Sequence, residues 1–227
     1  MRRLNILITG GGGFIGSYLV QHLSKDHKLI VLDHGKRYGT IRKKIKKNVE
    51  FVKGDITDEK KLDRIFKKDV QIVIHLAGVL GNNACMSDPI NAVLSHVHGS
   101  HVLIKKSKEY KIKRFIFASS QAVYSTFKVR KNKLNEKMKL EPDDLYGVVK
   151  SIAENDIVES GVNYIILRFA NVYGMNDCFN QQGGAIMNFI KAVKEKSEIS
   201  IFGTGKQKID YIELGDVYNC IKIILDN

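Results

Sequence analysis

Cysteine is scarce in this chain and gives no sign of pairing. Cys85, Cys178 and Cys220 are odd in number and widely spaced, which favours neither a disulfide framework nor a zinc site. No apolar run is long enough to span a bilayer, and no signal peptide precedes the first apolar segment. We therefore expect a cytoplasmic protein with reduced thiols, no bound metal and no contact with a membrane.

Acidic residues are also few, because the chain has 24 Asp and Glu but 37 Lys and Arg, which gives a net charge of +13. The basic residues are concentrated at 42–47, 60–68, 105–114 and 128–139. No aromatic residues alternate with them to form a stacking surface, and no nucleic-acid-binding motif is present. We interpret the charge as a solvated lysine-rich surface and expect no nucleic-acid partner, with a nucleic-acid site as the less favoured alternative. The same positive field would attract a nucleotide diphosphate.

Glycine, by contrast, is concentrated near the start of the chain, directly after an apolar segment. Leu4–Ile8 is typical of a buried parallel strand, and Phe14–Leu23 is typical of a helix. Gly10 allows a tight turn between them, Gly13 removes a Cβ that would block phosphates, and Gly16 lets the helix pack closely on the strand. A strand, a glycine turn and a helix place backbone N–H groups where a pyrophosphate binds. A glycine triplet alone is weak evidence for such a site.

A carboxylate supports the dinucleotide interpretation. The second apolar segment, Lys28–Leu32, is followed by Asp33, about 20 residues after the glycines, where the motif has an acidic residue for the adenosine ribose. A bare carboxylate accepts the ribose 2′-hydroxyl and repels a 2′-phosphate, whereas Arg37, close by in sequence, would favour a phosphate. We predict that the carboxylate decides and that the cofactor is NAD(H) rather than NADP(H).

Strand-like and helix-like segments alternate through the rest of the chain. The strands are apolar throughout, which indicates a parallel sheet covered by helices on both faces. We therefore predict an α/β fold with a Rossmann-type doubly wound parallel sheet. Beyond the segments already named, the predicted strands cover 49–52, 71–76, 114–118 and 163–168, and the predicted helices cover 59–68, 88–110 and 145–160.

A tyrosine and a lysine lie four residues apart in the last of these helices. This spacing places the phenol of Tyr146 and the ammonium group of Lys150 on one helix face, one turn apart. A tyrosine with its reference pKa of about 10 is a poor base at neutral pH. A neighbouring ammonium group, together with a nicotinamide cation, would lower that pKa and let Tyr146 take a proton from a substrate hydroxyl. Such a pair alone usually marks only a helix surface, so the candidate depends on the glycine motif.

Two serines follow the strand predicted at 114–118. Ligands of a doubly wound sheet bind beyond the carboxyl ends of its strands. We therefore expect the hydroxyls of Ser119 and Ser120 to lie where they meet a substrate hydroxyl. A turn or helix-cap role is the alternative.

Together these motifs resemble the extended short-chain dehydrogenases/reductases, in the NAD-dependent epimerase/dehydratase group that acts on nucleotide sugars. The resemblance covers almost the whole chain. Its segments are a cofactor fingerprint at 9–16, an adenine-contacting turn at 54–57, a cofactor-contacting strand end at 75–78, a catalytic-hydroxyl segment at 118–124, a sixth-strand motif at 167–174 and a substrate-domain segment at 201–217.

The resemblance implies roles for particular residues. Ser120, Tyr146 and Lys150 would be catalytic, and Ser120, Asn171 and Gln207 would contact the nucleotide sugar. The residues that would contact NAD are Gly10, Gly13, Phe14, Ile15, Gly16, Asp33, Asp55, Ile56, Leu76, Ala77, Gly78, Ser119, Tyr146, Lys150 and Phe169.

The chain departs from the family pattern directly after the catalytic hydroxyl. Dehydratases of the family have an acidic pair there, whereas this chain has Gln121 and Ala122. Because β-elimination needs a general acid and a general base, this departure argues against a 4,6-dehydratase. In addition, His96 stands where the family usually has an asparagine, which would alter a structural water.

Two further departures concern the substrate side. Ile209 replaces a phosphate-binding arginine of many members, and Lys208 would compensate only partly, as a point charge. The chain also stops well before the usual end of such proteins. We therefore expect an NAD-binding domain at 1–174 and a small, truncated C-terminal substrate lobe at 175–227, interleaved with it.

By this resemblance the chain is an NAD-dependent nucleotide-sugar epimerase-like enzyme. Tyr146 would take the proton of the sugar 4-hydroxyl while Ser120 holds the oxygen, and hydride would pass to NAD⁺ and return to the other face. A reductase or dehydrogenase of the same family is one alternative, and an NAD-binding protein with little catalysis is another. Family members often pair through the helices that correspond to 88–110 and 145–160, so we expect a homodimer. The polarity of the first helix favours the competing expectation, a monomer.

Overall fold

A parallel sheet with helices on both faces forms the centre of the structure. The computed structural model describes residues 3–35, 45, 47–125, 134–174, 184–199, 201 and 203–227. Its strands are β1 (Asn5–Thr9), β2 (Lys28–Asp33), β3 (Val49–Lys53), β4 (Ile72–His75), β5 (Arg114–Ser120), β6 (Tyr164–Phe169), β7 (Asn171–Tyr173) and β8 (Tyr211–Glu213). Its helices are α1 (Phe14–Leu23), α2 (Glu59–Phe66), α3 (Asn82–Ser87), α4 (Pro89–Val93), α5 (Gly99–Glu109), α6 (Leu145–Ser160), α7 (Gly184–Glu195) and α8 (Leu214–Asp226). None of the helices in these described ranges has the length and apolarity needed to cross a membrane.

The strand order creates a crevice at the middle of the sheet. The six long strands are all parallel and follow the order β3-β2-β1-β4-β5-β6, which confirms the predicted Rossmann-type sheet. The chain winds outward from β1 to β3 and then crosses over to β4, so the order reverses between β1 and β4. Ligands of such sheets bind beyond the carboxyl ends of the strands at this reversal.

Each central strand contributes side chains to two apolar layers. Leu7 of β1 belongs to the layer on one face, whereas its neighbours Ile6 and Ile8 belong to the layer on the other. Successive side chains of a strand point to opposite faces, and here both faces are covered. This is why β1, β2 and β4 are apolar without alternation, as the sequence indicates.

The C-terminal helix is part of the main layer around the sheet. Leu214, Val217 and Ile221 of α8 are fully buried, and Arg114 of β5 donates to the Ile224 carbonyl oxygen over 2.8 Å. Upstream of α8, β7 and β8 form a separate parallel pair. The division of the chain at residue 174 stays a prediction.

Two predicted elements differ from the structure. The helix predicted at 88–110 begins as predicted, with Asp88 accepting from the Asn91 N–H over 3.1 Å and Pro89 in its first turn. It is then interrupted by a π-helical turn, Leu94–His98, before α5. The strand predicted at 114–118 extends to Ser120, because the backbone of Ser119 and Ser120 still pairs with β6.

Candidate active site

The glycine turn is held tightly between β1, β2 and β4. Gly10 has a φ of +70°, and a Cβ there would lie 2.7 Å from the backbone nitrogen of Ala77. A Cβ at Gly16 would overlap the Gly10 carbonyl oxygen. Gly13 is different, because a Cβ would meet only that same carbonyl oxygen, at 3.1 Å. The fold itself therefore requires glycine at 10 and 16, whereas at Gly13 a Cβ would meet a single protein atom and would narrow the approach of a ligand.

Helix α1 begins at this turn without a side-chain cap. Its N-cap is Gly13, and Phe14 and Ile15 form the first turn with no acidic residue among them. The N–H groups of a first helical turn lack intrahelical partners and carry a partial positive charge. The start of α1 can therefore bind an anion such as a pyrophosphate.

Asp33, the last residue of β2, lies beside the glycine turn and is hydrogen-bonded to it. Its Oδ2 accepts from the Gly12 N–H over 2.7 Å, and its Oδ1 accepts from the Gly35 N–H over 2.6 Å. These bonds fix the carboxylate beside the glycine turn. A carboxylate has about four lone-pair sites, so both oxygens can still accept from a ribose hydroxyl. Arg37, the residue expected to compete for a phosphate, lies outside the described residues.

The carboxyl ends of β3 and β4 lie at the same edge of the sheet as the glycine turn. Asp55 is exposed and accepts from the backbone and hydroxyl of Thr57 over 2.9 and 2.8 Å. The side chain of Ile56 is buried in the apolar layer. Directly after β4, Leu76 and Ala77 are half-buried and Gly78 is exposed. These predicted cofactor contacts therefore lie along one edge of the sheet, with Ile56 able to offer only its backbone.

The predicted catalytic pair lies at the start of α6. Asp144 caps this helix by accepting from the Gly147 N–H over 2.7 Å. The Lys150 side chain is buried and its Nζ donates to the Ala118 carbonyl oxygen over 2.7 Å. That Nζ lies 5.9 Å from the centroid of the Tyr146 ring, and the Ser120 side chain is near enough to the Tyr146 hydroxyl to lower its pKa. The structure therefore brings Ser120, Tyr146 and Lys150 together.

Burial shifts the pKa values of both members of this pair away from neutral-pH base chemistry in the protein alone. Burial raises the pKa of Tyr146 to about 12, with smaller contributions from Cys85 and Asp144, while Ser120 opposes the rise. Burial also lowers the pKa of Lys150 to about 8, against the attraction of Glu154. The predicted lowering of the tyrosine pKa by the ammonium group together with a nicotinamide cation stays a prediction.

The two serines at the end of β5 have separate environments. Ser120 is half-buried and accepts from the Ala122 N–H over 3.2 Å, which caps the 3₁₀ turn Gln121–Val123. Ser119 is 4% exposed and donates to the Glu154 carboxylate. The expectation that both hydroxyls face a substrate is therefore wrong for Ser119. Both residues still belong to the strand, where neighbouring side chains point to opposite faces.

The predicted substrate contacts lie further along the chain. Phe169 ends β6 and is half-buried. Asn171 begins β7, and both its backbone N–H and its amide Nδ2 donate to the Asp210 carbonyl oxygen, over 3.3 and 3.1 Å. Gln207 is exposed in the segment that leads to β8. The pairing of β7 with β8 therefore places Asn171 beside the start of β8, four residues after Gln207.

Comparison with known proteins agrees with this arrangement. The model of the NAD dependent epimerase/dehydratase family matches residues 6–227. The chain belongs to this family.

Relatives within the family differ in reaction. A dTDP-D-glucose 4,6-dehydratase of Dictyostelium discoideum is 33% identical and matches 97% of this chain but 55% of its own length. A putative UDP-glucose 4-epimerase of Methanocaldococcus jannaschii is 34% identical and matches 93% of this chain and 70% of its own. The structure of UDP-glucuronic acid 4-epimerase from Bacillus cereus, in complex with UDP-glucuronic acid and NAD, has a TM-score of 0.87 at 25% identity, over 99% of this chain and 74% of that chain. This chain thus spans little more than half of the Dictyostelium protein.

This epimerase/dehydratase-family chain also has a buried ion pair that the sequence reasoning missed. The Glu154 carboxylate accepts from Arg168 Nη2 over 2.7 Å and from Arg168 Nε over 3.0 and 3.1 Å. Arg168 Nη1 donates to the Tyr124 hydroxyl over 2.7 Å. Together with the bond from Ser119, these contacts join β5, β6 and α6 behind the catalytic pair. The two partners of the ion pair lie 14 residues apart on different elements, so no local spacing in the sequence signals the pair.

Proposed function

We propose that this protein binds NAD and epimerises a nucleotide sugar by transient oxidation at the sugar C4 hydroxyl. The observation that carries the proposal is the cluster of Tyr146, Ser120 and Lys150 at the same edge of the sheet as the glycine turn. The names of family relatives, which act on UDP- or dTDP-linked sugars, support a nucleotide sugar as the substrate.

The cofactor side of the proposal rests on the shape of the glycine turn. The absence of a side chain at Gly13 and the start of α1 without a side-chain cap fit a pyrophosphate, and the fixed Asp33 carboxylate fits a ribose. When bound, NAD⁺ would supply the acceptor for the hydride that leaves the sugar carbon. Phe169, Leu76, Ala77 and Gly78 are the proposed contacts of the nicotinamide end.

The protein's own residues handle the proton and the oxygen. Tyr146 would take the proton of the sugar hydroxyl, and Ser120, whose side chain already influences the Tyr146 hydroxyl, would hold the sugar oxygen. The ammonium group of Lys150 stabilises the phenolate through its charge at short range. Since burial raises the pKa of Tyr146 to about 12 in the protein alone, its phenol is protonated at neutral pH before cofactor and sugar bind.

Epimerisation is favoured over dehydration by the residues next to Ser120. Gln121 and Ala122 form the 3₁₀ turn that follows β5, and neither has a carboxylate. Elimination of water needs a general acid and a general base close to the sugar, which these two positions do not provide. The likeness to the Dictyostelium dehydratase therefore extends to the fold and cofactor site rather than to this step.

A panel of sugar nucleotides tests the proposed function. Ligand that copurifies with the protein is identified by mass spectrometry, and UDP- and dTDP-sugars are then incubated with the protein and NAD⁺. We expect conversion to the C4 epimer without net change in NADH absorbance. Net NADH turnover would point to a reductase or dehydrogenase, a 4-keto-6-deoxy product to a dehydratase, and NAD binding without product to a non-catalytic protein. Each of these results would contradict the proposal.

Cofactor choice gives a first prediction. We expect NAD⁺ to bind more tightly than NADP⁺, because a 2′-phosphate would meet the Asp33 carboxylate, which is already fixed by Gly12 and Gly35. Calorimetry with both cofactors measures the difference. In Asp33→Asn the charge is lost while a side-chain oxygen remains, so the preference for NAD⁺ should fall. Tighter binding of NADP⁺ to the wild-type protein would contradict the prediction.

A symmetric homodimer is the second prediction. Of the apolar residues on the two long helices, Val102, Ile104 and Ile157 are buried within the chain. Val148 and Ile152 of α6 are 37% and 45% exposed, and the polar His101 beside them pairs with Asp156 over 3.0 Å. We propose that this surface contacts a second copy, since self-pairing is the commonest arrangement of soluble oligomers.

Light scattering at micromolar protein concentration, with cofactor present, measures the molecular mass of the particle in solution. We expect the dimer mass for the wild type and the monomer mass for Ile152→Glu. Val158→Glu is the matched control, because Val158 is 47% exposed on another side of the same helix and should leave the dimer intact. A monomer mass for the wild-type protein would rule out this arrangement.

A further inference from the structure

An aromatic ring lies against the buried lysine of the candidate active site. The Nζ of Lys150 lies over the ring of Phe117, 4.7 Å from its centroid. Phe117 is fully buried in β5, and Lys150 is buried on α6. A cation within about 6 Å of an aromatic centroid is attracted by the quadrupole of the ring, most strongly where water is excluded. The geometry therefore fits a cation–π contact between two buried groups.

The packing of β5 against α6 produces this contact. Side chains two residues apart on a strand share one face, as do side chains four residues apart on a helix. Phe117 belongs to the same apolar layer as Ala153 of α6, and the Ser119 hydroxyl donates to the Glu154 carboxylate. Phe117 meets Lys150 one turn earlier on the same helix. The ring is therefore placed by regular secondary structure rather than by a loop.

Neighbouring groups hold the Phe117 ring in place. Its register partner in β4 is His75, and the centroids of the two rings are 5.4 Å apart. His75 is fixed in turn, since its Nδ1 lies 2.7 Å from the Thr9 hydroxyl and its Nε2 lies 2.9 Å from the Ser100 hydroxyl. Burial and the nearby charge of Lys150 hold the pKa of His75 well below its usual range. The imidazole is therefore neutral and does not compete with the ammonium group for the ring.

The other contacts of Lys150 compensate its charge only in part. Its Nζ donates to the Ala118 carbonyl oxygen over 2.7 Å, which has no net charge. Glu154 attracts the ammonium group but is itself paired with Arg168 over 2.7 Å. Burial disfavours the charged form of a lysine. An aromatic face stabilises that form without placing a further charged group in the core.

We propose that Phe117 is a positioning residue of the candidate active site, which holds the Lys150 ammonium group against its aromatic face and keeps it charged. The importance of this contact for turnover rests on the proposed function, whereas the contact itself does not. An aliphatic side chain at position 117 would fill much of the same space but would lack the negative face of the ring. The role of Phe117 is therefore electrostatic as well as apolar.

Other titratable groups near Lys150 remain unchanged in the test. They are Glu154 and Tyr146 on α6, Cys85 on α3, His75 on β4 and His96 in the π-helical turn. Among them, Glu154 and Cys85 favour the ammonium form of Lys150. A change in the ionisation of Lys150 that occurs only when position 117 is altered can therefore be assigned to the ring.

Fluorination separates the electrostatics of the Phe117 ring from its packing. Phenylalanine with one, two or three ring fluorines, incorporated at position 117 alone, keeps nearly the same shape but weakens the negative face in steps. Phe117→Leu removes that face. NMR of the protein with labelled lysine and without cofactor measures the ammonium-to-amine ratio of Lys150 around its pKa of about 8. The same series at Phe115 is the matched control, because Phe115 is equally buried in the same apolar layer, two residues further from the carboxyl end of β5.

We expect the ammonium-to-amine ratio at a given pH to fall with each fluorine added at position 117, and to fall about fivefold to thirtyfold in Phe117→Leu. The series at Phe115 should leave the ratio close to that of the wild type. An unchanged ratio after fluorination at position 117, or an equal fall for the two positions, would overturn the proposal. If Phe117→Leu does not fold, the fluorinated series alone decides.

The position of the ammonium group gives a second, independent measurement. Protons over the face of an aromatic ring are shielded, so the ε-methylene protons of Lys150 should resonate upfield of those of the other lysines. This upfield shift should be lost in Phe117→Leu and kept in Phe115→Leu. Absence of the shift in the wild type would overturn the proposal. Neither measurement needs NAD or a sugar, so failure of the sugar-nucleotide panel would count against the proposed function alone.

Discussion

Replacing Tyr146 with phenylalanine should abolish sugar-nucleotide turnover and leave the affinity for NAD⁺ nearly unchanged. The substitution removes only the hydroxyl near Ser120, and the ring keeps its edge contact with His96. Because general base catalysis contributes about 10²–10⁴-fold to a rate, we expect at least that loss. Turnover is measured by product chromatography, and affinity is measured by calorimetry.

Lys150→Met is the informative comparison, because it should reduce both turnover and NAD⁺ affinity. The ammonium group would hold the nicotinamide ribose as well as stabilise the phenolate. In the wild type, activity should decrease above the Lys150 pKa of about 8, since the deprotonated lysine no longer supplies a positive charge. Normal turnover by the Tyr146→Phe protein would show that the proposed mechanism is wrong.

The sequence predicts the sheet and its glycine turn well because both depend on local patterns. Uninterrupted apolar segments mark strands buried on both faces. The end of α6 is equally local, since Gly161 follows it with a φ of +76°, a conformation that glycine adopts without strain. Gly10 and Gly16 are required by backbone atoms that follow from the strand–turn–helix order. Such features need no knowledge of distant contacts.

Features that depend on burial are not visible in the sequence. The spacing of Tyr146 and Lys150 predicts a shared helix face, but the pKa of the tyrosine depends on how much water is excluded around it. Ser119 and Ser120 are chemically alike, and only the extension of β5 separates their directions. The π-helical turn that buries His96 is likewise absent from any 3.6-residue pattern. The sequence therefore predicts which residues come together in the candidate site but not their electrostatic environment.

The largest expected loss of stability follows from breaking the ion pair behind the site. Arg168→Met should lower the free energy of unfolding by about 3–5 kcal/mol, because it leaves the Glu154 carboxylate, whose side chain is 3% exposed, without its charged partner. At about 2–4 °C per kcal/mol for a domain of this size, the melting temperature should fall by roughly 6–20 °C. Thermal and denaturant unfolding of the purified protein measure both quantities.

A double variant separates the cost of an unpaired charge from the value of the pair itself. In Glu154→Leu combined with Arg168→Met neither charge of this pair remains, so part of the lost stability should return, since apolar side chains often replace a buried ion pair at little cost. The return is incomplete because the buried Lys150 ammonium group loses the attraction of Glu154. Lys139→Met is the matched control, because it breaks an ion pair with Glu141 in which the lysine is 81% exposed, and exposed pairs contribute about 0–1 kcal/mol. If Arg168→Met proved no more destabilising than Lys139→Met, the ion pair between α6 and β6 would not stabilise the fold. The position of Ser119, and with it the end of β5 at Ser120, would then depend on backbone pairing with β6 and on apolar packing.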